Sequence, residues 1–284
     1  MTAASHSRSE ITAFASLMRR YAFAYTASHD FSVCDSIMVD DYVLLMGNHT
    51  IRGRDEAYKP ATERQYRQYP GLGFTVHDFI SNGERAAFRF TEHGHSMLAG
   101  TSTSWRGISL YSWDHERLTE CRVEQDYCSR SAQGREQRPQ PVPPPALDPW
   151  HGPYGKEDRA LVARIRNWLA AGEWLTEESL EFDDEANVQA SRAVIAEPAT
   201  TVLDIFGAGP AVAFHVRVSG IYLGGMPGST DAWMGVPATL YATGLVRETP
   251  GGFTGQVVTD RLGLARRLQV LADSPGNAQV PGLR

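Results

Sequence analysis

The sequence predicts an α+β protein built twice over: two tandem domains, each a curved, mainly antiparallel sheet whose concave side is closed by helices preceding it. Three observations carry this expectation. Seven prolines (139, 141, 143, 144, 145, 149 and 153) divide the 284 residues into halves of equal length, and proline at that density excludes helix and sheet interior and favours an extended, semi-rigid spacer. Each half opens on apolar residues at helical spacing and closes on long alternating strands, the helix-first order of an α+β layer. The turns between strands are short, which implies antiparallel pairing. The division gives 1–130 as a first domain, 131–155 as linker and 156–284 as a second domain.

Taken in order, Ile11, Phe14, Ala15, Met18, Tyr21, Ala22 and Tyr25 place one buried stripe on a long opening helix. A short acidic stretch follows and reads as helical. Strands are expected at 74–80, 85–95, 105–113 and 118–127, with turns at Asn82-Gly83 and Asp114–Glu116. In the second half Leu161, Val162, Ile165, Trp168 and Leu169 repeat the helical stripe, and Gly172 stops it. A second short acidic stretch follows, then strands at 201–206, 211–222, 233–247 and 253–260.

Composition narrows the function. Hydrophobic residues make up 42% and charged residues 21%, values of a folded globular chain, and the net charge of −6 argues against coating nucleic acid or an anionic membrane. No apolar run approaches the roughly 20 residues that span a bilayer, and Met1–Glu10 lacks the apolar segment of a signal peptide. Three cysteines (Cys34, Cys121, Cys128) without a CxxC pair suggest neither a disulfide framework nor a zinc ribbon. A cytoplasmic protein with no nucleic-acid or membrane partner fits these features.

The strand Ala87–His95 with its following turn, the hairpin Gly107–Asp114 with Leu118–Tyr127, and in the second half Phe214–Gly220, Val236–Thr239 and Val257–Leu264 resemble the nuclear transport factor 2-like superfamily. The likeness is closest to SnoaL-like cyclases and limonene-epoxide-hydrolase-like enzymes. The resemblance implies two cone-shaped, cystatin-like domains, each with an apolar pocket between sheet and helices, and acid–base chemistry without cofactor or metal. It implies a cyclase, isomerase or dehydratase acting on an apolar or aromatic, polyketide- or terpenoid-like metabolite; epoxide hydrolysis and non-catalytic binding are the alternatives. Because such folds pair sheet to sheet, it also implies intramolecular domain pairing that mimics a homodimer, in a monomer or a homodimer.

Gln125-Asp126-Tyr127 is similar to the Arg-Asp-Tyr run whose aspartate activates water in the epoxide hydrolases, which makes Asp126 the candidate general base, with His93 and His95 as polar catalytic partners. Tyr25, Arg89, Thr91 and Arg106 are the candidate substrate-binding residues. Alternation puts Arg89, Thr91, His93 and His95 on one face of their strand, and Phe88 and Phe90 on the other. The same face could instead meet solvent or a partner sheet, and Asp126, matched by Asp260 in the repeat, could be a strand-end acceptor. The tyrosine and asparagine that hold water in the epoxide hydrolases fall near Leu44 and Met46, both apolar. In the second half, His215, Arg217 and Ser219 align with Arg89, Thr91 and His93, while Val257 and Val258 take the closing strand. The second domain is therefore expected to support the first.

Overall fold

Thr12 starts the first helix by accepting the Ala15 amide on its hydroxyl, a side-chain cap for an amide with no partner in its own helix. Helix α1 (Ala13–Arg19) continues as a π-helical segment, Arg20–Thr26. Its buried stripe holds Phe14, Ala15, Met18, Ala22 and Tyr25 as the spacing predicts. The structure, a computed structural model, describes residues 12–151, 154–182, 192–226 and 228–273; Ile11 and Pro153 lie outside the described residues.

Asp30 opens α2 (Phe31–Ile37) by accepting the Ser32 amide at 2.9 Å. Where the sequence suggests further helix, the chain turns into β1 (Met38–Met46) and β2 (His49–Arg52). Helix α3 (Lys59–Gln68) then precedes the expected meander: β3 (Gly73–Ser81), β4 (Arg85–Ser96), β5 (Thr101–Trp113) and β6 (Leu118–Gln125). The sheet order is β2-β1-β6-β5-β4-β3, antiparallel except where β1 runs parallel to β6. The second half repeats this plan with α5 (Arg159–Ala170), following α4 (Tyr127–Glu136), and then β7 (Leu180–Phe182), β8 (Ile195–Ala208), β9 (Ala211–Tyr222), β10 (Pro237–Thr249) and β11 (Gly252–Thr259). Its order, β7-β11-β10-β9-β8 with β7 parallel to β11, matches β1-β6-β5-β4-β3 of the first sheet, whose sixth strand, β2, has no counterpart in it. The fold is therefore α+β with two tandem, helix-closed sheets.

A packing detail fixes the register of the repeat. Phe90 pairs with Gly107, and a Cβ at Gly107 would meet Phe90 Cζ at 2.3 Å; Phe214 pairs with Gly244, and a Cβ there would meet Phe214 Cζ at 2.1 Å. Each phenyl ring lies across a glycine of the neighbouring strand. Aligning the two pairs puts His215 at the place of Thr91, two residues from the match expected with Arg89, and puts Val216 at the place of Glu92. Gly107→Ala and Gly244→Ala are each expected to destabilise the chain by about 1–3 kcal/mol, since the added methyl must displace a buried ring. A thermal melt of either variant as high as wild type would show that the rings can give way.

The two sheets pack through their convex faces. Ile80, Ala87, Ile108 and Leu110 of the first meet Phe206, Ala208, Ala211, Ala213, Leu245 and Val258 of the second. Ion pairs flank this apolar patch: Arg247 grips Asp78 at 2.6 and 2.9 Å, and Arg85 grips Asp204. Each edge strand thus presents an aspartate to an arginine of the other domain.

The proline-rich segment is a strap as much as a spacer. The stretch expected as linker is helical to Glu136, because Asp126 caps α4 and proline begins only at 139. Beyond it the chain runs along the first domain: Gln140 accepts from Ser104, Ala146 donates to Val76, and Trp150 is buried against Phe79 and Phe23. The contacts at Val76 and Phe79, with the bridge from Tyr154 to Ser81, cover the edge strand β3.

Candidate active site

The concave face of the first sheet and its helices enclose a cavity of about 330 Å³. Pairing across the sheet sets what faces inward. Phe88, Ser109 and Val123 form one inward row, Phe90, Gly107 and Gln125 the next, and Glu92 with Trp105 the last. Tyr21, Tyr58, Tyr66 and Tyr127 wall the cavity, together with Leu44, Met46 and Ile51 of β1 and β2. Leu44 and Met46 thus stand in the pocket as apolar wall, where the epoxide-hydrolase resemblance would need polar groups.

Glu92 is the one carboxylate in this lining. It is 6% exposed and its Oε2 accepts from Gln65 Nε2 at 2.8 Å. Burial pushes its carboxyl up to about 7, and the Gln65 hydrogen bond and the charge of Arg130 limit the rise. Gln125 beside it is held by Trp105, whose Nε1 donates to Gln125 Oε1 at 2.7 Å. Arg130 packs over the rings of Tyr127 and Trp105, 4.1 and 4.9 Å from their centroids. His29 stacks on Tyr66 at 3.8 Å, and the Tyr66 hydroxyl is buried beside Tyr25. Burial pushes the phenols of Tyr21, Tyr58, Tyr66 and Tyr127 well above their usual range, so at neutral pH they can only be uncharged donors or acceptors.

The residues singled out from sequence lie elsewhere. Arg89, Thr91, His93 and His95 share a face, as alternation requires, but it is the convex one. Thr91 hydrogen-bonds His77 at 2.7 Å, His77 reaches Pro144 of the strap, His93 lies beside Thr75, and His95 is exposed. Asp126 is buried at the N-terminus of α4, where it accepts the Ser129 amide at 2.9 Å. It shares a small cleft of about 60 Å³ with Thr91 and Arg106 beneath Gln140, Pro141 and Pro143. So Asp126, Thr91 and Arg106 meet, on the opposite side of the sheet from the cavity. Tyr25 is a fully buried ring among Tyr21, Phe31 and Tyr58. Among the described residues, no group of three or more His, Cys, Asp or Glu side chains could hold a metal ion.

Asp260 repeats the role of Asp126 by capping α6 (Arg261–Ala272) through the Gly263 amide at 2.9 Å. Both aspartates therefore hold a helix start. Asp126→Asn is expected to be near neutral, because asparagine caps as well as aspartate, whereas Asp126→Ala should cost about 1 kcal/mol with turnover retained. Loss of turnover in a folded Asp126→Asn variant would return the chemistry to the convex cleft.

Glu92 escaped the reading of the sequence although its signal was present: it continues the two-residue step Phe88, Phe90 onto the apolar face. In the second domain the equivalent residue is Val216 and that of Gln125 is Val257, both fully buried. Trp174 fills that interior, stacked on Phe182 and edge-on to Phe214. A cavity of about 220 Å³ remains there, lined by Leu175, Arg192, Ile195, Val218 and Leu240 among others, with no carboxylate.

The family model for the SnoaL-like domain matches residues 18–121. Similar solved structures include a candidate SnoaL-like polyketide cyclase from Jannaschia Sp. CCS1, 14% identical, with a TM-score of 0.39 over 45% of this chain and 94% of that one. IdmH, a candidate polyketide cyclase from Streptomyces antibioticus, is 18% identical with a TM-score of 0.38 over 42% of this chain and 95% of its own. AclR, a candidate hydroxylase from Streptomyces galilaeus, is 16% identical with a TM-score of 0.40 over 47% and 91%. No curated protein matches the chain. Among the described residues no helix is long and apolar enough to cross a membrane.

Proposed function

We propose, from the match of residues 18–121 to the family model for the SnoaL-like domain, that the first domain is a cofactor-independent enzyme of cyclase or isomerase type. Its substrate is a small aromatic or polycyclic, polyketide-like metabolite. The observation that carries this reading is Glu92: a buried carboxyl at about 7, in a tyrosine-walled cavity, hydrogen-bonded to Gln65. A general acid or base works best when its pKa lies near the operating pH, because both protonation states are then populated.

In this mechanism the tyrosine walls hold the aromatic body, and Glu92 removes a proton from a carbon next to a carbonyl. The enolate oxygen is met by a neutral phenol of the tyrosine wall. Glu92 then returns the proton at the new position or after ring closure. Gln65 orients the carboxyl throughout. Burial of Glu92 against the tyrosine walls raises the worth of its hydrogen bonds. The second domain, packed convex face to convex face, serves as a built-in partner whose own smaller cavity is lined by no carboxylate.

The test follows deuterium exchange at the α-carbon of an enolisable aromatic ketone such as 2-tetralone in heavy water. Wild-type protein should accelerate exchange and Glu92→Gln should not. Equal exchange by both proteins would sink the assignment.

A further inference from the structure

We propose that the substrate is an anion, and that its carboxylate or similar group is bound between Arg130 of the first domain and Arg266 of the second. This rests on the cavity being the substrate site and adds the charge that the substrate carries. Arg64, Arg130 and Arg266 all line the cavity, and Glu92 is the one acidic side chain there. The chain as a whole carries a net charge of −6, so this cationic collar is a local feature against an acidic background. None of the three arginines forms an ion pair with a carboxylate of the described residues. A guanidinium presents its donors in a planar fork that matches a carboxylate, and Arg130, packed over Tyr127 and Trp105, has already given up most of its freedom.

Arg266 reaches the cavity because α6 is fastened to the first domain. A Cβ at Gly47, in the β1–β2 turn, would meet Asp260 Oδ2 at 2.7 Å, which shows how closely the start of α6 approaches. The neighbouring Arg267 is spent on structure: it binds Asp260 at 3.0 Å, Asn48 of the first domain at 3.3 Å and the Thr239 carbonyl at 2.8 Å. Arg266, one residue earlier, is exposed and makes no such bonds, yet it and Leu262 stand in the cavity lining. The second domain therefore completes the mouth of the first domain's pocket. Occupation by an anion would offset the repulsion among three arginines and leave the aromatic body against the tyrosines.

The test compares 2-naphthoate with uncharged 2-naphthamide, titrated calorimetrically into the full chain. Naphthoate should bind about tenfold more tightly, the worth of one charge-assisted contact, and the gap should shrink with added salt. Arg266→Gln should weaken naphthoate about threefold to tenfold and leave naphthamide unchanged. Arg266→Glu should erase the preference. Arg266 is exposed, so neither change threatens the fold, and Arg130→Lys, which keeps charge but loses the fork, should show the same selectivity loss. Equal affinity for the two probes, no saturable binding of either, or a preference untouched by Arg266→Glu would overturn the proposal. Glu92→Gln separates it from the catalytic reading: naphthoate should still bind to that variant. Naphthoate preference with exchange that ignores Glu92 would leave the anion site standing and remove the base; the reverse pattern would remove only the anion site.

Discussion

Glu92→Gln is expected to lower kcat for proton transfer by about 10²–10⁴-fold, the usual contribution of a positioned general base, while the fold survives. Glutamine keeps the shape and can still bond Gln65, so binding should change little. In the wild-type protein the rate of α-proton exchange should rise with pH through about 7, where Glu92 ionises. The residual rate of the variant should show no such step. Stability supplies an independent reading with the opposite sign. The carboxyl sits at about 7 in the folded chain against 4.5 when exposed. Above pH 4.5 the unfolded chain therefore holds fewer protons than the folded one, and burial of Glu92 costs stability that grows until pH 7. At pH 8 the cost reaches about 3 kcal/mol, at about 1.4 kcal/mol for each pH unit between those two values, and glutamine removes it. A variant that is less active and more stable at pH 8, but equally stable at pH 4, is the expected pair of results. Unchanged stability at pH 8 would mean that the carboxyl is not held protonated by its surroundings.

The parts of this fold legible in the sequence are those built from near neighbours. Strands β4, β5 and β9 were readable to within a few residues because aromatic and β-branched residues alternate through them and short turns bound them. Strand β1 was not: Asp40-Asp41 interrupts its alternation, and its pairing partner β6 lies far along the chain. Helix α6 begins where the last expected strand, 253–260, ends, and its cap, Asp260, continues the pattern of β11, so nothing local announces the helix.

The site was half legible for a related reason. Alternation sorts residues into two faces without saying which is inward. The polar set Arg89, Thr91 and His93 drew attention, yet helices pack against the face bearing Phe88 and Phe90. One buried acid on an apolar face was the more informative pattern. Arg266 could not have been found by any local rule, since it belongs to the pocket of one domain and the sequence of the other.

Raising the pH above 6.5 is expected to weaken the union of the two domains through one buried pair. Glu124 of β6 and His215 of β9 face each other across the interface, 2.9 Å apart and each about 1% exposed. The Gly47 amide also donates to Glu124 at 2.8 Å. Around them stand Glu120, Arg122 and Asp204 on the His215 side, and Asp260 and Arg267 on the Glu124 side. Burial raises the carboxyl of Glu124 well above its usual range and lowers the imidazole of His215 to about 4. The folded pair thus keeps one proton over a wide range, whether it sits on oxygen or nitrogen. In the unfolded chain, with ordinary values of 4.5 and 6.5, the two groups together hold one proton between those limits and none above them. Stability should therefore be flat in this pair from pH 4.5 to 6.5. Above 6.5 the folded chain holds the extra proton, and stability should fall by up to about 1.4 kcal/mol per pH unit until the pair ionises. Below 4.5 the unfolded chain binds the second proton, on Glu124, and stability falls again until the folded chain takes up its own second proton near pH 4. Replacing His215 by alanine leaves Glu124 buried with a single donor, and should cost about 3–5 kcal/mol at pH 6, where breaking a buried pair is most damaging. Glu124→Leu with His215→Phe, which makes the contact apolar, should recover much of that loss and flatten the alkaline slope. Urea melts at pH 6 and pH 8 decide the matter: an alkaline slope that survives in the double variant would mean that other groups set the pH response of the interface.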